Sequence, residues 1–255
     1  MTFKSLTRLS ALIHVKQFYF IPICLLFLIG SANAETKLRI NTSIKPPFST
    51  ESHTGFFDIL IKDLFSHLDI SVEIVRLPAE RAMANVNNGL SDGELPRISG
   101  LSKKYKNIIQ VPEKIMDYSF VAFSQPEKIS KISFESIKSK KVGIIIGWKI
   151  YENETLDFPH LSKVAKPQLL FSMMTFKRID VALYERYAGQ FILKTQGIKN
   201  IYECTPPLAT KAMFLYVNKK HKEKVPILAD GLREMKKNGI YWDIYNQTLG
   251  AYKPN

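Results

Sequence analysis

Three charged side chains stand where a strand would hand them to a binding surface. Glu94 and Arg97 lie in Glu94-Leu95-Pro96-Arg97, and Glu185 directly follows Ile179-Asp180-Val181-Ala182-Leu183-Tyr184. An arginine offers a planar fork of donors to a carboxylate or phosphate, and such charge-assisted hydrogen bonds are worth roughly 1.5 to 3 kcal/mol. A cation-binding acid opposite an anion-binding arginine would suit a zwitterion. Each residue also has a plainer use: Arg97 pairs internally with Glu94 or another acid, and Glu185 serves as a helix N-terminal charge that suits the dipole. Arg81, in the first turn of a helix begun at Pro78, is a comparable candidate whose alternative is a local pair with Glu80.

Pockets are mostly apolar and aromatic with a few polar groups, so three aromatic residues join the set. Phe48 flanks a ligand or packs into its own turn. Tyr118 lies on a long extended segment and belongs to hinge or pocket. Trp148, directly after Gly147, covers a ligand or begins a helix as a half-buried aromatic.

Groupings that carry out covalent or metal chemistry are missing from the sequence. His53, His67, His160 and His221 are isolated from one another and from Cys204, with no His-Glu-x-x-His or Cys-x-x-Cys spacing. There is no Gly-x-Ser-x-Gly elbow and no Gly-x-x-x-x-Gly-Lys phosphate loop. No catalytic residue, metal or cofactor is therefore assigned, and Cys204 reads as a small packed hydrophobe.

The elements that position the candidates alternate between strand and helix. Leu38 to Thr42 reads as a strand, followed by the turn Lys45-Pro46-Pro47-Phe48. A helix is predicted over 55–68, with Phe57, Leu60, Ile61, Leu64 and Leu68 on one face. Val72 to Val75 is the next strand, and the helix from Pro78 stops at Gly89. Asp92 to Ile98 and Tyr118 to Phe123 are extended. After Gln125-Pro126 the pattern resets with Lys141 to Gly147, a short apolar run bounded by glycine, as expected of a strand buried on both faces. A helix over 168–177, the strand 179–184, a helix ending at Gln196-Gly197, the segment 198–202 and a second long extended run, Met213 to Val217, follow. The tail holds a basic helical turn stopped by Gly239 and an aromatic helix after it.

Lys4, Arg8 and Lys16, the apolar run Phe18 to Ile29 and Ala32-Asn33-Ala34 form a secretory leader with cleavage after Ala34. The apolar run is shorter than the roughly 18 residues of a membrane span. Cys24 would leave with the leader, so Cys204 has no disulfide partner. Removing 34 of the 255 residues leaves 221, and losing three basic residues and no acid takes the net charge from +13 to +10. In an exported chain with scattered lysines that surplus is a solvated surface, so no nucleic acid is expected as a partner.

The opening Leu38-Arg39-Ile40, the Pro46-Pro47-Phe48 turn, Gly55-Phe56-Phe57-Asp58, Asn88-Gly89-Leu90-Ser91-Asp92, Lys141-Val142-Gly143, Ile179-Asp180-Val181-Ala182 and Lys237-Asn238-Gly239-Ile240-Tyr241-Trp242-Asp243 come in a fixed order. This series resembles the bacterial extracellular solute-binding proteins of family 3, whose best known members bind amino acids. It departs at two places: Phe56 is an insertion in the Gly-Phe-Asp step, and Glu94-Leu95-Pro96-Arg97-Ile98-Ser99-Gly100 stands where amino-acid binders carry a Thr-rich loop with an arginine.

The resemblance implies an α/β, two-lobed, type II periplasmic-binding-protein-like fold, with two crossover segments forming a hinge over a central cleft. Lobe 1 would comprise 35–124 and 211–255, and lobe 2 would be 125–210. Phe48 would flank the ligand and Glu185 would hold its ammonium. The implied function is capture of a small polar or amino-acid-like solute in the periplasm by a monomer. The implied partner is an ABC permease or a sensor receptor. The alternatives on the same fold are an exported enzyme of the cyclic-carboxylate dehydratase type and a ligand-sensing module.

Overall fold

Two parallel three-stranded arrays, joined by two long antiparallel strands, set the positions of every candidate side chain. The computed structural model describes residues 37–125 and 128–253, and the expected leader, 1–34, lies outside them. The first array comes from β1 (Leu38–Thr42), α1 (Phe56–Ser66), β2 (Val72–Arg76), α2 (Ala79–Asn87) and β3 (Gly93–Ile98), followed by the short β4 (Ile108–Gln110). β5 (Met116–Ser124) leads out of it. The second array comprises α3 (Phe134–Ile137), β6 (Val142–Ile145), α4 (Lys149–Glu154), β7 (Leu161–Val164), α5 (Pro167–Thr175), β8 (Val181–Glu185) and α6 (Arg186–Thr195), with the two-residue β9 (Tyr202–Glu203) after it. β10 (Ala209–Asn218) returns, and α7 (Val225–Lys237) and α8 (Ile240–Thr248) close the chain.

The strand path is β2-β1-β3-β10-β5-β8-β6-β7, with β4 added on β10 and β9 on β5. β1 runs parallel to both β2 and β3, and β6 runs parallel to both β7 and β8. Each array thus has a first strand flanked by its successors on both sides. That reversal of strand order opens a crevice beyond the strands' carboxyl ends, where α/β sheets bind ligands. β5 and β10 pair with each other through residues 116–120 and 209–213. β10 also pairs with β3 and β5 with β8, so the two crossings tie the arrays into one sheet.

Local sequence explains the first turn. The carboxylate of Asp58, in the first turn of α1, accepts hydrogen bonds from Ser49 Oγ (2.7 Å), Thr50 N (2.8 Å) and Gly55 N (3.0 Å). These bonds bend the Pro-Pro-Phe loop back over the helix and hold Phe48, which is only 1% exposed. Gly55 is required by proximity: a Cβ there would lie 2.5 Å from the Phe48 carbonyl oxygen and 2.7 Å from Ser49 N, both backbone atoms. Gly55→Ala is expected to lower the thermal midpoint by several degrees, because backbone cannot yield as a flexible side chain can; an unchanged melting curve would show that the loop is free to shift.

Asp92, which closes the Asn-Gly-x-x-Asp step, has a structural task at the other end of β3. Its carboxylate accepts from Arg39 N (2.7 Å) and pairs with Lys220 and His221, each at 2.7 Å. Burial pulls its pKa upward, but these donors outweigh burial and hold it below the usual carboxylate range. Asp180 acts likewise in the second array, where its side chain accepts from Lys141 N at 2.9 Å. This explains a shift in the predicted strand: pairing begins at Val181 rather than Ile179, and the strand includes Glu185. Gly239, with φ of 94°, lets α7 end and α8 begin without a break in packing.

The helix predicted over 55–68 forms at Phe56–Ser66, and its apolar face packs on α7 and α8. Of the segment 198–202, only Tyr202 joins a ladder, through β9. α3, β4 and β7 were not foreseen, and α4 only as the helix start in the plainer reading of Trp148. β4 has three residues, too few for alternation to show, and α4 starts at Trp148 without a side-chain cap.

Candidate functional site

Burial of polar atoms without partners marks the site. Asn41 Oδ1, Glu94 Oε2, Arg97 Nε, Tyr118 Oη and Glu185 Oε1 are all buried and make no hydrogen bond among the described residues. An unsatisfied buried polar group costs roughly 1 to 3 kcal/mol. His53 Nδ1 and Ser91 Oγ share that condition, but they lie on the 50–54 turn and ahead of β3. The five atoms belong to β1, β3, β5 and β8, which with β10 form the middle of the strand path.

Glu94 is fully buried on β3, in parallel register with Asn41 on β1. Its Oε1 accepts from Arg97 Nη2, which also donates to Ala79 O at 2.8 Å. Of the two readings of Arg97, the internal pair is the one present. Even so, burial outweighs the neighbouring guanidinium and pushes the Glu94 pKa up to about 7.

Glu185 takes the helix N-terminal place of its plainer reading and leaves one carboxylate oxygen over. It is the N-cap of α6, with Oε2 accepting from Ala188 N at 2.9 Å, while Oε1 remains without a partner. It is 1% exposed and lies opposite Phe120 in the β5–β8 ladder. Burial drives its pKa up to about 8, against the lowering pull of the Ala188 N–H and the Arg186 charge. Arg186 itself turns away, to Glu203 Oε1 (2.8 Å) and Ser119 Oγ (3.1 Å).

Tyr118 links the two sides. Its buried hydroxyl is held well above the usual phenol pKa, first by burial and then by the charges of Glu185 and Tyr184, while Arg97 opposes them. Its ring stacks on Phe48 (centroids 4.9 Å apart), and Phe48 meets Tyr187 of α6 edge-on at 6.1 Å. Tyr187 in turn touches Tyr245 of α8 hydroxyl to hydroxyl. Trp148 is half-buried at the start of α4, stacked on Tyr184 at 4.8 Å with Phe120 at its edge, 6.0 Å away. Lys149 beside it pairs with Glu152 at 2.5 Å and feels the charge of Glu80 on α2.

Of the seven residues nominated from sequence, Glu94, Arg97, Tyr118 and Glu185 share this electrostatic neighbourhood, and Phe48 packs directly against it. Trp148 reaches it through Phe120 and Tyr184. Arg81 does not: it is exposed on α2, whose inward positions are Ala82, Met83 and Val86, and it makes no ion pair among the described residues. Asn41 was missed, although an amide at an inward position near the carboxyl end of the first buried strand is itself a signal. Its orientation is fixed, because Nδ2 donates to Ala82 O at 3.1 Å.

Among the described residues no group of three or more His, Cys, Asp or Glu side chains could hold a metal ion, and no helix is long and apolar enough to cross a membrane. Cys204 is buried and donates to Ser124 Oγ at 3.1 Å. A surface recess of about 390 Å³ lies elsewhere, lined by Leu38, Asp69, Ile70 and His221 among others.

This architecture is the two-lobed type II periplasmic-binding-protein fold, and solved structures share it over most of the chain. A histidine kinase sensor domain with similarity to periplasmic binding proteins matches 86% of this chain and 99% of its own, at TM-score 0.71 and 16% identity. An ancestral arginine-binding protein bound to arginine matches 84% of this chain and 98% of its own, at TM-score 0.69 and 20% identity. The GluR0 ligand-binding core in complex with L-glutamate covers 85% of this chain and all of its own, at TM-score 0.75 and 11% identity. An uncharacterized protein of Shewanella oneidensis is 24% identical over 212 residues, spanning 79% of this chain and 78% of that protein. No family model matches the sequence. At these identities the solved structures establish the fold, and the expected likeness to amino-acid-binding proteins holds at that level.

Proposed function

We propose that this chain is a periplasmic solute-binding protein. It closes two lobes, 35–124 with 211–255 and 125–210, over a small polar solute and presents the closed form to an ABC-type permease. The observation that carries this reading is the burial, without partners, of atoms from Asn41, Glu94, Arg97, Tyr118 and Glu185, linked pairwise by the Asn41–Glu94 register, the Glu94–Arg97 pair and the charges of Arg97 and Glu185 at Tyr118. A fold bears such a cost where a ligand removes it. Phe48 and Trp148 supply the apolar walls, and β5 with β10 form the hinge about which a few extended residues bend. The ligand shifts the open–closed equilibrium only as far as it prefers the closed state. In this reading the chain is exported with cleavage after Ala34 and works in the periplasm as a monomer.

The sensor-domain neighbour favours a second reading of the same site, in which the closed form signals to a receptor instead of a permease. Ligand capture is common to both. The two raised carboxyl pKa values also keep an exported enzyme in play as the outcome that would replace them, since an acid near pH 7 can donate a proton.

Thermal unfolding of the mature chain, stripped of carried-over solute, against amino acids, polyamines, small carboxylates and sugars tests the reading. A ligand at about 100 times its dissociation constant adds roughly 2.7 kcal/mol, which for a chain of this size raises the midpoint by about 5 to 10 °C. A stoichiometric, chemically unchanged ligand is the expected result. Turnover of the ligand, or a flat response to the whole library, would overturn it.

A further inference from the structure

The end of the chain reaches across from the first array to the second. α8 is anchored in the first: it packs on α1 and α7, Tyr241 donates to Ile115 O at 2.9 Å, and the rings of Tyr241 and Tyr245 meet Phe56 edge-on at 5.6 and 6.1 Å. Beyond it, fully buried Leu249 leads into a single turn of 3-10 helix, Gly250–Tyr252, which lies against α6 of the second array. Lys253 then folds back onto α8, donating to Asn246 Oδ1 at 3.2 Å and lying 5.3 Å from the centre of the Tyr245 ring.

α6 meets this tail with Tyr187, Phe191 and Lys194, at positions i, i+4 and i+7, which the helical repeat places in one row. Tyr187 touches Tyr245 hydroxyl to hydroxyl, and Phe191 meets the Tyr252 ring edge-on at 5.3 Å. Lys194 Nζ donates to Ala251 O at 3.3 Å and lies 5.8 Å from the centre of the Tyr252 ring. The helix buries a different stripe, Ala188, Gly189, Ile192 and Leu193, so the row is left for the tail.

The same helix starts in the buried cluster, where Glu185 caps it and Tyr187 meets Phe48 edge-on at 6.1 Å. A packed helix moves as a rigid body, so turning the second array about β5 and β10 carries the row past the anchored tail. The arrangement described is a shut one: Glu94 of the first array is 0% exposed and Glu185 of the second 1%.

We infer that residues 245–252 form a strap that holds the two arrays shut, so that the tail, and not the cleft alone, sets the balance between open and shut forms. The inference uses the lobe movement of the reading above but no property of the solute.

Spin labels on exposed positions of α2 and α4, introduced by Ala84→Cys and Asn153→Cys in a Cys204→Ser background, read the distance between the arrays in the mature protein stripped of solute. The labelled parent should give a single short distance. Tyr252→Ala should add a longer one, the ratio of shut to open molecules falling about 2- to 12-fold, the value of one aromatic edge contact. Tyr252→Phe keeps the ring and should match the parent, while deletion of 250–255 should shift the balance further than Tyr252→Ala. Melting curves show which variants are folded, and if the deletion unfolds the chain, Tyr252→Ala decides. A parent already at the longer distance, or one distribution shared by the parent and Tyr252→Ala, would overturn the strap. Either result leaves solute capture standing, because the thermal screen against the solute library decides that separately.

Discussion

Glu185→Gln should make the ligand-free protein more stable at pH 9 while abolishing solute binding. The Glu185 carboxyl is 1% exposed, and burial raises its pKa from 4.5 to about 8. Below pH 4.5 the folded and unfolded chains both hold the proton, and the group has no effect. Between 4.5 and 8 the folded state keeps a proton that the unfolded state releases, so stability falls as pH rises. Above 8 both states are ionised and the loss is complete. At about 1.4 kcal/mol per pH unit the upper limit is on the order of 5 kcal/mol. The groups around Glu185 offset burial only in part: the Ala188 N–H and the Arg186 charge pull the pKa down, while Tyr118, Tyr151, Tyr184 and Tyr187 are neutral phenols with raised pKa values and Glu203 is an acid.

Denaturant unfolding at pH 5, 7 and 9 reads this directly. Wild-type protein should lose more stability between pH 5 and 9 than the glutamine variant, whose remaining loss follows the titration of Glu94 around pH 7. The variant keeps an oxygen to cap α6 through Ala188 N, so a folding defect is not expected. Identical slopes for the two proteins would show that the Glu185 carboxylate is solvated in solution.

The second large effect is expected at Asp58. Alanine there leaves Ser49 Oγ, Thr50 N and Gly55 N without their acceptor. At roughly 1 kcal/mol for each donor stranded the loss is about 3 kcal/mol or more, or on the order of 6 to 12 °C in the midpoint. Because the same three bonds hold the loop that carries Phe48, ligand affinity should fall with stability. A midpoint within 2 °C of wild type, with affinity intact, would mean that the aromatic stacking of Phe48 on Phe57 and Tyr118 holds the loop by itself.

The order of strands and helices was legible because most segments carry their own signals, such as the face of α1 or the glycines at 89, 197 and 239. Signals of that kind run out in short pieces such as β4, and at Asp180, where a side-chain bond to Lys141 N delays the strand by two residues. Within the site, residue type was legible and pairing was not. Glu94 and Arg97 could be nominated from their position after a strand, but whether the guanidinium turned to its neighbour or to a ligand depends on the burial of Glu94, which no local pattern reports. Arg81 stays apart from the buried cluster for a helical reason: the inward stripe of α2 passes through Ala82, Met83 and Val86 and leaves position 81 exposed. Asn41 was hidden in an otherwise ordinary strand until β1 was paired with β3.

The two tryptophans of the chain divide their surroundings unequally. Trp242 is 51% exposed on α8, while Trp148 lies between Tyr184 and Phe120, on the second array's side of the junction. Movement of the second array relative to β5 changes the edge contact of Trp148 with Phe120, while its stacking on Tyr184 and Tyr151 travels with that array and Trp242 stays half exposed. The protein therefore carries its own optical gauge of closure: a change in emission wavelength and quenching that survives Trp242→Phe and vanishes with Trp148→Phe would report the bending of β5 and β10 in real time, without a label on the buried thiol of Cys204.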